Sequence, residues 1–274
     1  MKKIAILFTG ESRINGLSNN EIITETILDS YKKYFLTDSF IEKYDYDIFI
    51  ITDDINIEKI LEFFGKERVK NIYFMNIQKF LYSINQNIYS YDVVLNKCKE
   101  IYSNRHKFHE NGIQQFYKCY IGFSLLSNYN EYDYIIRSRL DIEILEDVQT
   151  QIERLEQNES IQIIAAWDAF AIGRPNIMKE YLNMVLNYGS YDFIKSNHDF
   201  KRNIICIEKY NNRKINQYDW LFSPEIQLFE CLFDYCDKNN YIIDDTILGK
   251  NCMVSIIRYD RENKVFTKQI FENS

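Results

Sequence analysis

Apolar runs closed by polar clusters organise the first half of the chain. Residues 3–8 carry the run Ile4-Ala5-Ile6-Leu7-Phe8, which predicts a strand buried on both faces, and it stops at the polar turn Thr9-Gly10-Glu11-Ser12-Arg13. Helical spacing follows over 20–36, with Ile23, Ile27 and Tyr31 on one stripe. A second strand is predicted from Tyr46 to Thr52, ending at Asp53-Asp54; residues 56–64 look helical, and Val69 to Met75 make a third strand. Strand alternating with helix in this way predicts a mostly parallel α/β sheet with helices on its faces.

The segment 80–111 is polar and Asn-rich and gives no clear element. From Gln114 to Asn128, Phe116, Tyr120 and Phe123 recur at helical intervals and predict a buried helix. The stretch 132–144 begins as a buried strand and becomes charged at Arg137, Arg139 and Asp141. Residues 161–166 form another apolar strand, closed by Trp167-Asp168, and helices are predicted over 176–188 and 224–238. Residues 254–267 read as a hairpin turning at 260–263. No repeat or linker divides the chain, which predicts one domain with two lobes, 1–145 and 146–274.

Composition narrows this picture. The 274 residues are 46% hydrophobic and 27% charged, enough apolar surface for a large core and too much for a disordered chain. A net charge of −7 argues against a nucleic-acid binder, which would show a basic face. With 8 Gly and 2 Pro there is little material for a glycine-rich phosphate loop. The 22 Tyr and 19 Phe are read as codon bias of an A+T-rich genome rather than as an aromatic binding surface. Six cysteines without CxxC spacing are read as reduced core thiols. The opening apolar run is too short for a signal-peptide core, and no run approaches a membrane span, so a soluble cytoplasmic chain is expected.

In open α/β sheets, ligands bind outside the carboxyl ends of the strands. Four predicted strands end there in polar clusters: Thr9 to Arg13, Asp53-Asp54, Arg137 to Asp141, and Trp167-Asp168. Two guanidinium groups at a buried strand end are costly without a partner, and arginine forks suit a diphosphate. Asp141 is the candidate ligand for a divalent ion; an internal Arg139–Asp141 salt bridge is the plainer alternative. Thr9, Gly10 and Arg13 offer backbone and side-chain donors to a nucleotide, or form a simple turn; neither GK[ST] nor GxGxxG is present. Asp53 either accepts from a ribose or base or caps the next helix. Asp168 is the candidate general base for an acceptor hydroxyl, with sugar binding and turn capping as alternatives. Glu225 stands in the first turn of a helix, where the dipole alone favours it. His106, His109 and His198 are read as solvated loop residues.

The ordered motifs FTGESR, YDIFIITD, QQFYKCYIGFSLL, YDYIIRSRLDIEI, WDAFAIGRPNIMKEY and SPEIQLFE resemble the small nucleotide-sugar glycosyltransferases of giant viruses and of bacterial capsule or lipopolysaccharide clusters, over about residues 3–235. That resemblance implies a GT-A-like, Rossmann-type fold with a C-terminal acceptor-side elaboration. It also implies a nucleoside-diphosphate sugar donor such as a UDP-sugar, a glycan acceptor, and Mn²⁺ or Mg²⁺ at a DxD motif. It assigns Thr9, Gly10 and Arg13 to the nucleotide, Asp168 to the base or acceptor role, and Glu225 to the acceptor side. The chain reads Arg139-Leu140-Asp141 where DxD is expected, so either Asp141 alone holds the metal or Arg139 replaces it in a metal-independent enzyme. A non-catalytic nucleotide- or glycan-binding module on the same scaffold is the alternative. A nucleotidyltransferase, which needs two metals and clustered carboxylates, is a third.

Overall fold

A computed structural model describes residues 1–10, 20–53, 58–102, 110–166, 168–187, 228, 232, 235–236, 238–243, 254–260 and 265–270. The apolar runs become the parallel strands β1 (Lys2–Thr9), β2 (Tyr44–Thr52) and β3 (Val69–Phe74). Between them lie α1 (Asn20–Tyr34), α2 (Asp38–Lys43) and α3 (Glu58–Phe64). Thr37 caps α2 by accepting from the Phe40 amide at 3.2 Å. A short antiparallel edge, β4 (Lys79–Phe80), follows β3. The helices α4 (Tyr91–Tyr102) and α5 (Glu110–Ser124) then carry the chain back across to β5 (Tyr134–Arg139), which pairs in parallel on the far side of β1.

Next come β6 (Ile142–Ile144), α6 (Val148–Gln157), β7 (Ile161–Ala166), β8 (Phe170–Gly173) and α7 (Pro175–Asn183). The last described strands are β9 (Ile242–Ile243), β10 (Val254–Asp260) and β11 (Val265–Ile270). The main sheet has eight strands in the order β4-β3-β2-β1-β5-β8-β7-β9, and a second has three, β11-β10-β6. Within the main sheet β4 and β8 run against the others. The protein is therefore α/β, with a mixed, mostly parallel sheet flanked by helices.

Alternation along each strand sends side chains to two apolar layers. Ala5, Leu7, Phe49, Ile51 and Ile135 meet α4, α5 and α7 on one face. Ile4, Ile6, Phe8, Ile48, Ile50 and Ile136 meet α1, α2, α3 and α6 on the other. On the second face Phe8 stacks on Phe64 at 4.5 Å, and Phe35 packs edge-on to Phe40 and Phe170. Each such fully buried ring is worth about 1.5–3 kcal/mol over exposure.

The structure departs from the sequence expectations at specific points. The stretch 132–144, expected to be a buried strand ending at its charged residues, holds two strands in two sheets. The Leu140 amide turns back to the Thr9 carbonyl at 3.0 Å, and β6 leaves to pair with β10. Arg139 and Asp141 close on each other across this break, which a continuous strand, with both on one face about 7 Å apart, would hold in a different geometry. The ambiguous 80–111 segment contains α4. The helix α6, capped by Asp147 accepting from the Thr150 amide at 2.7 Å, buries Val148, Gln151, Ile152 and Leu155 at helical spacing and was not expected. Neither was β8. Residues 228, 232, 235, 236 and 238 are helical, within the helix predicted over 224–238. Among the described residues no helix is long and apolar enough to cross a membrane.

Candidate functional site

The chain runs outward from β1 through β2 to β3 and then returns to place β5 on the other flank of β1. The strand order reverses there, and the region beyond the carboxyl ends of β1 and β5 is the position where open α/β sheets bind ligands. The helix α5 lies over this edge. It comes close because Gly122 has no side chain: a Cβ there would stand 3.1 Å from Ile51 Cδ1. One turn and two turns earlier, the same helix carries Lys118, Cys119 and Gln115 in place of bulky apolar residues. These point at the polar strand ends.

Arg139, the last residue of β5, holds the densest set of contacts. Its Nε and Nη2 donate to the two carboxylate oxygens of Asp141, each at 2.7 Å, in a bidentate pair. Its Nη1 donates to Gln115 Oε1 at 3.1 Å and stands 3.7 Å from Asp168 Oδ2. The Gln115 amide nitrogen in turn donates to the Asp168 carbonyl at 3.1 Å and to its Oδ2. One amide thus spans a cation and an anion with the polarity each requires. Burial works against the Arg139 charge, but Asp141 and Asp168 outweigh it and hold its pKa above the ordinary value. The backbone is pinned as well: the Arg139 amide donates to Ala169 O at 3.1 Å, and the Tyr31 hydroxyl donates to Arg139 O at 2.8 Å. Burial pushes the Tyr31 phenol's pKa up, so it stays a donor.

Arg137, two residues deeper on the same strand face, is different. It is fully buried, and none of its three guanidinium nitrogens has an oxygen or nitrogen hydrogen-bond partner among the described residues, the Cys119 thiol being its polar neighbour. Its charge acts on the Cys119 thiol of α5 and the Tyr181 phenol of α7: burial raises both pKa values, and Arg137 works in the opposite direction. Thr9, at the end of β1 and opposite Arg139, is likewise buried with its Oγ1 unpartnered among the described residues. Buried polar groups are nearly always paired, and leaving a charged one unpaired costs several kcal/mol. Two such groups lie near one end of the sheet with no acceptor supplied by the described residues.

Beyond Thr9, Gly10 adopts φ +110°, a left-handed conformation suited to glycine, and donates its amide to Ile51 O at 2.9 Å. Asp53, just past β2, is paired with the buried Lys118 ammonium, and its carbonyl accepts from the Asn76 side chain. The structure therefore brings Thr9, Gly10, Asp53, Arg137, Arg139, Asp141 and Asp168 to one edge of the sheet. Arg13 and Glu225 lie outside the described residues, as do Asp54, Trp167, His106, His109 and His198. Sequence reasoning missed Gln115 and Lys118. The signal was present: polar residues at 115 and 118 with a small one at 122 share a face of a helix otherwise packed with aromatics.

Among the described residues the donor set does not fit a divalent ion. Both Asp141 oxygens are taken by Arg139, and among the described residues no group of three His, Cys, Asp or Glu is placed to hold a metal. No chemical step is derived through one.

The fold and this edge together define an α/β protein with buried cationic side chains at the reversal point of its sheet. No protein-family model matches the chain, and no curated protein matches it. Among solved structures it is similar to the apo form of mouse xyloside xylosyltransferase 1, at 10% identity over 89% of this chain and 86% of that one, with a TM-score of 0.45. At that level the similarity assigns no residue and no activity here.

Proposed function

We propose that the chain is a glycosyltransferase, moving a sugar from a nucleoside-diphosphate donor to a hydroxyl of a glycan or other acceptor. The observation that carries this is Arg137, a buried guanidinium without an oxygen or nitrogen partner among the described residues, set at the reversal point of the sheet. A diphosphate has the charge and the paired oxygens that such a fork binds. The motif resemblance supports a GT-A-like scaffold around it. On this proposal Thr9 and Gly10 line the diphosphate, Asp53 lies on the nucleoside side, and Arg13 and Glu225 keep the nucleotide and acceptor roles implied by the resemblance. Entry to Arg137 requires the seam between α5 and α7 to part.

Asp168 is the proposed base. Gln115 and Arg139 engage its Oδ2, leaving Oδ1 unpaired among the described residues at a side chain 18% exposed. The acceptor hydroxyl oxygen attacks the anomeric carbon and its proton passes to Asp168. The bond from that carbon to the diphosphate oxygen breaks, and the departing diphosphate carries the electron pair towards Arg137.

The test is a thermal-shift panel of UDP, GDP, CMP and TDP with and without Mn²⁺ or Mg²⁺. A ligand that binds only the native state at 100 times its Kd stabilises it by about 2.7 kcal/mol. We expect a shift with one nucleotide diphosphate that does not depend on metal; no shift with any of them overturns the donor site. Asp168→Asn is expected to abolish transfer and keep the nucleotide shift. The closed Arg139–Asp141 pair favours a second reading, a non-catalytic nucleotide- or glycan-binding module, which predicts the same shift without turnover of any donor.

A further inference from the structure

Lys118 has no role in the site as described so far. It stands on the sheet-facing side of α5, and its side chain is 9% exposed. Its ammonium contacts the carboxylate of Asp53, whose own side chain is 13% exposed. The two sit at the end of β2, while Arg137 lies within β5 opposite Leu7, and β1 runs between those strands. The Lys118–Asp53 pair and Arg137 therefore lie on opposite flanks of β1, the pair beyond the level of Thr9 and Arg137 below it. Between those levels stands the Thr9 hydroxyl, unpartnered among the described residues.

A lysine ammonium has three donors and no acceptor, and one carboxylate does not use all three. A point cation of this kind suits a phosphate oxygen. Asp53 then plays the part of a stand-in anion for Lys118. We propose that Lys118 is a second donor-binding cation, held in reserve by Asp53, and that an incoming diphosphate competes with the Asp53 carboxylate for it. The proposal rests on the donor-site reading above and adds to it a residue and a competing group. Its consequence runs against intuition: removing the Asp53 charge tightens diphosphate binding. If Asp53 instead accepts a hydrogen bond from the ribose, the same change leaves pyrophosphate, which has no ribose, unaffected.

Calorimetric titration with inorganic pyrophosphate tests this without knowing the nucleotide base. Lys118→Met is expected to weaken binding about tenfold, the loss of one charge-assisted hydrogen bond. Asp53→Asn is expected to tighten it about threefold or more, a gain that misfolding cannot mimic. Because Lys118→Met strands the Asp53 carboxylate, the double variant Asp53→Asn/Lys118→Met, which leaves neither charge unpaired, is measured alongside and is expected to bind as weakly as Lys118→Met. Unchanged affinity in Lys118→Met, with binding lost in Arg137→Met, overturns the role of Lys118 and leaves the donor site standing. Weaker or unchanged binding in Asp53→Asn overturns the competition. No pyrophosphate binding by the unmodified protein overturns both.

Discussion

The two ends of the main sheet carry similar charges and treat them differently. At the amino ends of the parallel strands, Asp47 accepts from Lys3 at 3.3 Å, from Lys70 at 3.2 Å and from the Tyr132 hydroxyl at 3.0 Å. Beside it Arg68 donates to Asp45 at 3.0 Å and lies over the Tyr46 ring. The cations there are open to water, with Lys3, Arg68 and Lys70 side chains 33%, 35% and 50% exposed. Each has an acidic partner, and each could lose it and be hydrated. At the carboxyl ends the cations are buried, so pairing is compulsory, yet Arg137 goes without it among the described residues. Charge alone does not mark a site. Buried charge without a partner among the described residues is what the proposed donor site rests on, because such a charge is costly to the fold and a bound anion would offset that cost.

The largest expected effect tests whether the carboxyl edge is in fact a low-dielectric one. Asp141→Ala removes the bidentate partner of Arg139 and should cost about 3–5 kcal/mol, the penalty for breaking a buried pair. Urea unfolding measures it; a loss below about 1 kcal/mol would put this pair in the same class as the exposed ones at the amino edge. Next in size is Arg137→Met, with the opposite sign. Replacing an unpaired buried cation by an apolar side chain of similar length should leave the ligand-free protein as stable, or more stable by about 1–4 kcal/mol. The nucleotide-induced thermal shift should disappear in the same variant. A destabilised variant would show instead that Arg137 is satisfied within the fold.

Why one edge was readable and the other only partly so follows from what sequence spacing encodes. β1, β2, β5 and β7 are apolar runs closed by polar residues, so their ends, and with them Thr9, Asp53, Arg137, Arg139 and Asp168, could be placed on one edge before any coordinates. The partners could not. Gln115 and Lys118 belong to a helix whose aromatic stripe at 116, 120 and 123 dominates its periodicity, and the polar face beside it is visible only once α5 is laid on the sheet. The second strand beyond Leu140-Asp141 was hidden for a related reason. Ile142 and Ile144 continue the alternation of β5, and period-two spacing does not say which sheet a strand joins. The helix α6 is polar along most of its length, and its buried positions 148, 151, 152 and 155 include a glutamine, so its stripe is thin.

The smallest effect sharpens the comparison from the amino edge, through pH. Desolvation lowers the Lys3 pKa, but the Asp47 carboxylate and its hydrogen bond outweigh that, with Glu131 adding to them, so the folded value lies above the ordinary one. The folded state therefore holds this proton more tightly than the unfolded chain does. The stabilisation is fully present below the unfolded lysine pKa of about 10.4 and is lost as pH rises through the raised folded value. Solvent screening at a side chain one-third exposed keeps it under about 1 kcal/mol. Melting curves of the unmodified protein and Lys3→Met between about pH 9 and pH 12 should converge as pH rises, because only the former loses this contribution. A gap that stays constant across that range would mean that Lys3 contributes through its packing over the Tyr132 ring, 4.8 Å from its ammonium, and that the amino edge is held together by contact rather than by charge.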